Sequence, residues 1–221
     1  MSAKRIDIGA CFSLGWAKTK AHLAFFILLV VCYFLVEVGA GLVSVVVSGR
    51  GMMPLAASWL LSLFVGGMLY LGITKISLNL HDGKEARLGD LFSCMYLVPS
   101  YIGAAFLYTL IAIAGFLLLI IPGLIWTIQF LLFIYFIVDE EMGPVAALKA
   151  SSATTYGAKW QLCWLLSLLV LLNLAGALLL LVGLFVTIPM SLMAMACAFR
   201  QLQGEPEPPG QTAAVDARAA A

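Results

Sequence analysis

Charge is scarce in this chain: of 221 residues only 10% are Asp, Glu, Lys or Arg, while 63% are hydrophobic. A soluble domain carries nearer a quarter charged residues, so no water-facing surface can be assembled from this composition. Long stretches have no charge at all, and the outside of the fold must face lipid. Histidine is almost absent too. His22 and His81 lie at the edges of apolar runs, which excludes a haem held between facing intramembrane histidines. There is no H-E-x-x-H, no phosphate-cradling G-x-x-x-x-G-K, and no nucleophile, base and orienting group at matched depth. No catalytic residue is assigned, and neither an enzyme nor a cofactor is expected. The five cysteines, Cys11, Cys32, Cys94, Cys163 and Cys197, form no C-x-x-C pair and sit in or beside apolar segments. They read as reduced, buried thiols rather than a metal site or a disulfide framework. A formal net charge of +1 supplies no field for nucleic acid.

What is present is apolar sequence in span-sized blocks. A hydrocarbon core about 30 Å thick needs roughly 20 helical residues, with every backbone group bonded inside the segment. Six segments qualify, at about 23–46, 54–78, 101–120, 123–138, 160–181 and 184–200. The run after Lys4 and Arg5 is too long for a cleaved signal and is expected to remain as the first span. The expected class is therefore all-α, a polytopic transmembrane helix bundle forming one domain over 1–203.

Basic residues orient it. Lys4, Arg5, Lys18, Lys20, Lys75, Lys84, Arg87, Lys149, Lys159, Arg200 and Arg218 fall on one side of this arrangement, and only Arg50 on the other. By the positive-inside rule the crowded side is cytoplasmic, which puts both termini inside a bacterial inner membrane. Trp16, Trp160 and Trp164 then lie near the inner interface, with Trp59 and Trp126 near the outer one.

The stretch AGFLLLIIPGL at 114–124 is echoed, with one residue deleted, by AGALLLLVGL at 175–184. Each is a hairpin too tight to hold a soluble loop. Amphipathic segments precede the hairpins at about 6–17, 86–98 and 144–156. In the second, Leu88, Leu91, Phe92, Met95 and Tyr96 share one helical face while Arg87, Asp90 and Ser93 turn away. Three tandem units are expected, each an interfacial helix followed by a transmembrane hairpin. The segment 204–221, rich in Pro, Glu and Ala, is expected to be a disordered cytoplasmic tail.

Glu37 is the one acidic residue inside an expected span. An ionisable group in hydrocarbon is a functional candidate by default, here a proton or cation site with Gln129 and Asn173 as other intramembrane polar candidates. The plainer reading has Glu37 reaching interfacial water beside Gly39 and Gly41, and Gln129 and Asn173 bonding between helices. Asp139, Glu140 and Glu141 read as a solvated helix exit. Lys84, Arg87, Lys149 and Lys159 are candidate contacts for anionic lipid headgroups.

Several short motifs occur in a fixed order: Ile6-Asp7-Ile8-Gly9 leading to Trp16, Asp82-Gly83-Lys84 leading to Gly89-Asp90-Leu91-Phe92, and Ile121-Pro122-Gly123. Val138-Asp139-Glu140 leading to Gly143-Pro144 and Ala147-Leu148-Lys149 follows, and then Ala198-Phe199-Arg200-Gln201-Leu202. Over most of 6–202 the chain thus resembles the YciC-like bacterial inner-membrane proteins, uncharacterised in function, and the related membrane domain joined to some glycerophosphodiester phosphodiesterases. It departs from them at Ser152-Ala153-Thr154-Thr155, where relatives carry a bulkier aromatic or charged stretch. The resemblance implies a membrane-embedded domain and supplies no site residues; the phosphodiesterase domain is not in this chain. The first functional expectation is a non-enzymatic accessory or scaffold protein, its partners being membrane lipids and another membrane protein or a second copy of itself. The alternative is a small channel or transporter with Glu37 in its pathway.

Overall fold

In the computed structural model, residues 6–48, 52–178 and 183–204 are described, apart from the side chains at 40, 43–48, 52–59 and 120. Arg50, the Trp59 side chain and the tail from 205 onward, all named above, lie outside the described residues. The described residues form ten α-helices and no strand: α1 (Ile8–Ala21), α2 (Leu23–Ser48), α3 (Met52–His81), α4 (Asp90–Ser93), α5 (Val98–Leu118), α6 (Ile120–Phe130), α7 (Phe133–Glu140), α8 (Pro144–Thr155), α9 (Lys159–Leu178) and α10 (Leu184–Gln203). Five helical stretches are long and apolar enough to cross a membrane, or six if Ile8–Ala21 and Leu23–Gly39, bent by 85°, count together as one. Side chains such as Phe34, Phe106, Leu117 and Val170 project outward without cover, as lipid-facing residues do.

The core is built on α3 and α10. Buried residues on α10 run almost continuously from Met193 to Leu202, and those on α3 include Leu69, Leu71, Ile76 and Leu80. α3 touches α2, α4, α5 and α7, and α10 touches α1, α2, α3, α8 and α9. Between helices in lipid there is no hydrophobic drive, so close approach relies on small residues and polar bonds. The two echoed hairpins show this in matching places. A Cβ on Gly115 would lie 2.9 Å from the Cα of Gly123, and one on Gly183 would lie 2.5 Å from the carbonyl oxygen of Gly176.

Three expected segments differ in form. The stretch 86–98 is not one surface helix: it holds the four-residue α4 and a 3₁₀ turn at Met95–Leu97 that runs directly into α5. The cause is a close approach, since a Cβ on Gly72 would fall 2.4 Å from the carbonyl oxygen of Leu91. That backbone is clamped to α3 as a turn, with the Asp90 carboxylate accepting from the Arg87 amide. The fourth expected span is broken into α6 and α7 at Leu131 and Leu132. α1, expected on the membrane surface, packs lengthwise along α10: Cys11 meets Cys197, and Gly15 sits against Met190. Its buried face is Cys11, Leu14, Gly15 and Thr19, leaving Trp16 outside.

Gly123→Val should destabilise the α5–α6 hairpin, because its Cβ would stand 2.7 Å from the Phe116 ring and 2.8 Å from the Phe116 amide nitrogen. Overpacking of this kind costs about 1–3 kcal/mol. Thermal unfolding of the detergent-solubilised protein checks this, with Gly143→Ala, where a Cβ meets nothing, as the neutral comparison.

Candidate functional site

The helices α3, α7 and α10 end close together. His81 ends α3 with Asp82 just beyond, Asp139 stands in the last turn of α7, and Arg200 in the last turn of α10. Arg200 grips both carboxylates two-fold. Its Nε and Nη2 donate to Asp82 at 3.1 and 2.6 Å, and its Nη1 and Nη2 donate to Asp139 at 2.7 and 3.0 Å. A fifth bond runs from Nη1 to the Gln203 side-chain oxygen at 3.1 Å. Five N–H groups thus meet five acceptors, a fit that the planar guanidinium fork allows and an ammonium does not. The Arg200 side chain is 7% exposed, against 18% for Asp82 and 23% for Asp139. Below the charges, Phe199 stacks on Tyr135 and meets Phe136 edge-on, sealing the cluster from the apolar interior.

The cluster extends toward α1. His81 Nδ1 lies 3.2 Å from the Asp82 carboxylate. Cys197 Sγ lies 2.6 Å from Cys11 Sγ, with both residues fully buried. The start of α1 is held by the Ile6 amide donating to the Gln161 side chain and the Asp7 amide to that of Gln201. Asp7 caps the helix by accepting from the Ala10 amide at 2.9 Å. Burial works against the charged form of Asp82, yet hydrogen bonds from Arg200 and His81 and their positive charge hold its carboxyl below the ordinary carboxylate range.

The residues picked out above fall in separate places. Glu37 faces α3, where a Cβ on Gly66 would meet its Oε1 at 3.3 Å, and no described residue forms an ion pair with it. Gln129 serves the break between α6 and α7. Its carbonyl accepts the Ser151 and Thr155 hydroxyls at 3.0 Å each, its side-chain nitrogen donates to the Ser152 hydroxyl, and its side-chain oxygen accepts from Lys159 at 2.5 Å. A broken helix in an apolar setting must have its freed carbonyls satisfied, and this serine- and threonine-rich segment does so. Asn173 donates to the Leu169 carbonyl and the Ser191 hydroxyl, both at 2.8 Å, joining α9 to α10. None of the hydrogen bonds among the described residues connects Glu37, Gln129 and Asn173 with one another.

Asp139, Glu140 and Glu141 are exposed, as a solvated helix exit requires, and each also has a partner: Asp139 pairs with Arg200, Glu140 accepts from Gln203 at 3.0 Å and Glu141 accepts from the Tyr96 hydroxyl. Arg200 and Asp82 were legible as members of short motifs but not as partners. Of the basic candidates, Arg87 pairs with Glu85 at 3.2 Å on the surface, and Lys84 stands 3.8 Å from Asp82. Lys149 lines a cleft of about 550 Å³ with Phe130, Ser152, Ala153 and Tyr156. A second cleft, of about 360 Å³, gathers Lys18, His22 and Lys84 around Phe25, Leu80 and Glu85.

The fold is all-helical among the described residues, with five or six helical stretches long and apolar enough to cross a membrane, which suggests a membrane protein. No protein-family model matches the chain, and no solved structure does. It is 30% identical over 143 residues to the uncharacterised protein Rv2560 of Mycobacterium tuberculosis and to the uncharacterised protein Mb2590 of Mycobacterium bovis. The match takes in 62% of this chain and 42% of each relative, so the chain spans less than half the length of the curated relatives it matches.

Removing one partner from a buried ion pair strands the other charge, at a cost of about 3–5 kcal/mol. Arg200→Met should therefore lower the unfolding temperature strongly, and adding Asp82→Asn and Asp139→Asn to it should restore much of the loss. Thermal scans of the single and triple variants in detergent check this; an unchanged single variant would remove the cluster's structural role. A pH series supplies a separate check. Because the folded Asp82 carboxyl lies below the unfolded value of about 3.9, its contribution is complete above that pH and is lost as pH falls through the folded value. The unfolding temperature should drop below about pH 3.9, and the drop should be smaller in Asp82→Asn.

Proposed function

We propose that this chain is a non-enzymatic accessory or scaffold protein of the bacterial inner membrane, with both termini cytoplasmic, that docks anionic lipid headgroups. The observation that carries this reading is the pair of basic clefts beside the segments following α3 and α7, where Lys18, His22 and Lys84 line one and Lys149 lines the other. Both segments leave the bundle at the end where Arg200 sits, the end that the basic residues mark as cytoplasmic. Each cleft pairs cationic or hydrogen-bonding groups with an aromatic wall, Phe25 in one and Phe130 with Tyr156 in the other, which suits a phosphate above the start of an acyl chain. Lys159 has a structural task in holding Gln129, so Lys84 and Lys149 are the candidates left to meet lipid. The channel reading draws on Glu37 alone, because Gln129 and Asn173 are engaged in bonds between helices.

Native mass spectrometry of the full chain, released from detergent doped with phosphatidylglycerol or phosphatidylcholine, tests the proposal. Retention should favour phosphatidylglycerol. Each basic residue near an anionic surface contributes about 1 kcal/mol, so Lys84→Ala and Lys149→Ala should each weaken retention roughly fivefold. Equal retention of the two lipids, or variants indistinguishable from the parent, would refute headgroup docking.

A further inference from the structure

The strongest unassigned chemistry in the molecule is the contact between Cys11 on α1 and Cys197 on α10. Their sulfurs are 2.6 Å apart and fully buried. That separation is about 0.5 Å beyond a covalent S–S bond. It also leaves no room for a soft metal ion between the sulfurs, because metal–thiolate bonds of about 2.3 Å would hold the two well over 3 Å apart. No group of three or more potential metal ligands occurs among the described residues. The two sulfurs lie 186 positions apart in the sequence and are brought together by the packing of α1 along α10.

We propose that Cys11 and Cys197 are a reversible dithiol–disulfide site, oxidised by hydrogen peroxide. The Cys197 sulfur gives up its proton and attacks one peroxide oxygen. The O–O bond breaks, the departing hydroxide leaves with that proton as water, and Cys197 carries a sulfenic acid. The Cys11 sulfur then attacks the Cys197 sulfur, the S–O bond breaks, and the hydroxide leaves with the Cys11 proton as a second water. Two thiols have been oxidised and one peroxide reduced to two waters. An external dithiol returns the pair to thiols by exchange, itself becoming a disulfide. The bond locks α1 along α10 beside the Arg200 cluster, near the point where α3, α7 and α10 end. The site does not depend on lipid docking.

The test uses the full chain in detergent, treated with hydrogen peroxide, then unfolded and alkylated without reductant before digestion and mass spectrometry. A peptide pair joined through Cys11 and Cys197 is expected, with Cys32, Cys94 and Cys163, which lie on other segments, still alkylated. Dithiothreitol should return both thiols to the alkylated pool. In Cys11→Ser the resolving sulfur is gone, so Cys197 should be trapped by dimedone as a sulfenic acid adduct. Should a variant fail to fold, the unmodified protein decides alone. Cys11 and Cys197 remaining alkylatable after peroxide, or Cys197 passing to sulfinic acid without a crosslink, overturns the proposal.

Discussion

Arg200 holds the ends of α3, α7 and α10 together. Its guanidinium sits between two carboxylates, from the end of α3 and the end of α7, and its own backbone belongs to α10. A buried charge of this kind is costly unless every donor is met. Meeting all five leaves little freedom in where Asp82, Asp139 and Gln203 stand, and so in where the three helices end. The aromatic layer of Tyr135, Phe136 and Phe199 lies directly against it, and α1 is laid alongside by Cys11 and Asp7. Helices that gain little from apolar burial in lipid are aligned here by a few polar contacts of high geometric demand.

The same economy appears at the other irregular points. Gly115 with Gly123, and Gly176 with Gly183, let two chain reversals close without side chains in the gap. At the break between α6 and α7 the backbone of Gln129 is left needing partners, and hydroxyls from α8 supply them. In both settings the controlling cost is an unsatisfied or sterically blocked backbone in a medium without water. The two clefts lie outside this scaffold: Lys84, in the segment after α3, and Lys149, on α8, are both exposed.

Much of the helical plan was legible from residues taken in order. Apolar blocks near 101–120, 160–181 and 184–200 correspond to α5, α9 and α10, because hydrophobic length alone selects a spanning helix. The expected amphipathic segment at about 144–156 corresponds to α8, which Pro144 opens after Gly143 as its N-cap. The ionic cluster was not legible. Arg200 lies 118 residues from Asp82 and 61 from Asp139, and nothing in local periodicity says that three helix ends converge. Asp139 therefore read only as part of a solvated exit, and Cys11 and Cys197 as unrelated buried thiols. The short motifs were the one available signal, since Asp7, Asp82, Asp139 and Arg200 each sit in one of them and all contribute to the same end of the bundle.

By itself the sequence determined that the chain is helical, with stretches long and apolar enough to cross a membrane, because hydropathy acts residue by residue and needs no partner. Tertiary structure alone decided which polar residues meet. It spent Gln129 and Asn173 on helix contacts, left Glu37 without an ion-pair partner among the described residues, and drew His81, Asp82, Asp139 and Arg200 into one site. The physical reason is that such bonds form over 3 Å while the residues making them are many tens of positions apart along the chain. Only the packing of whole helices brings them within that reach.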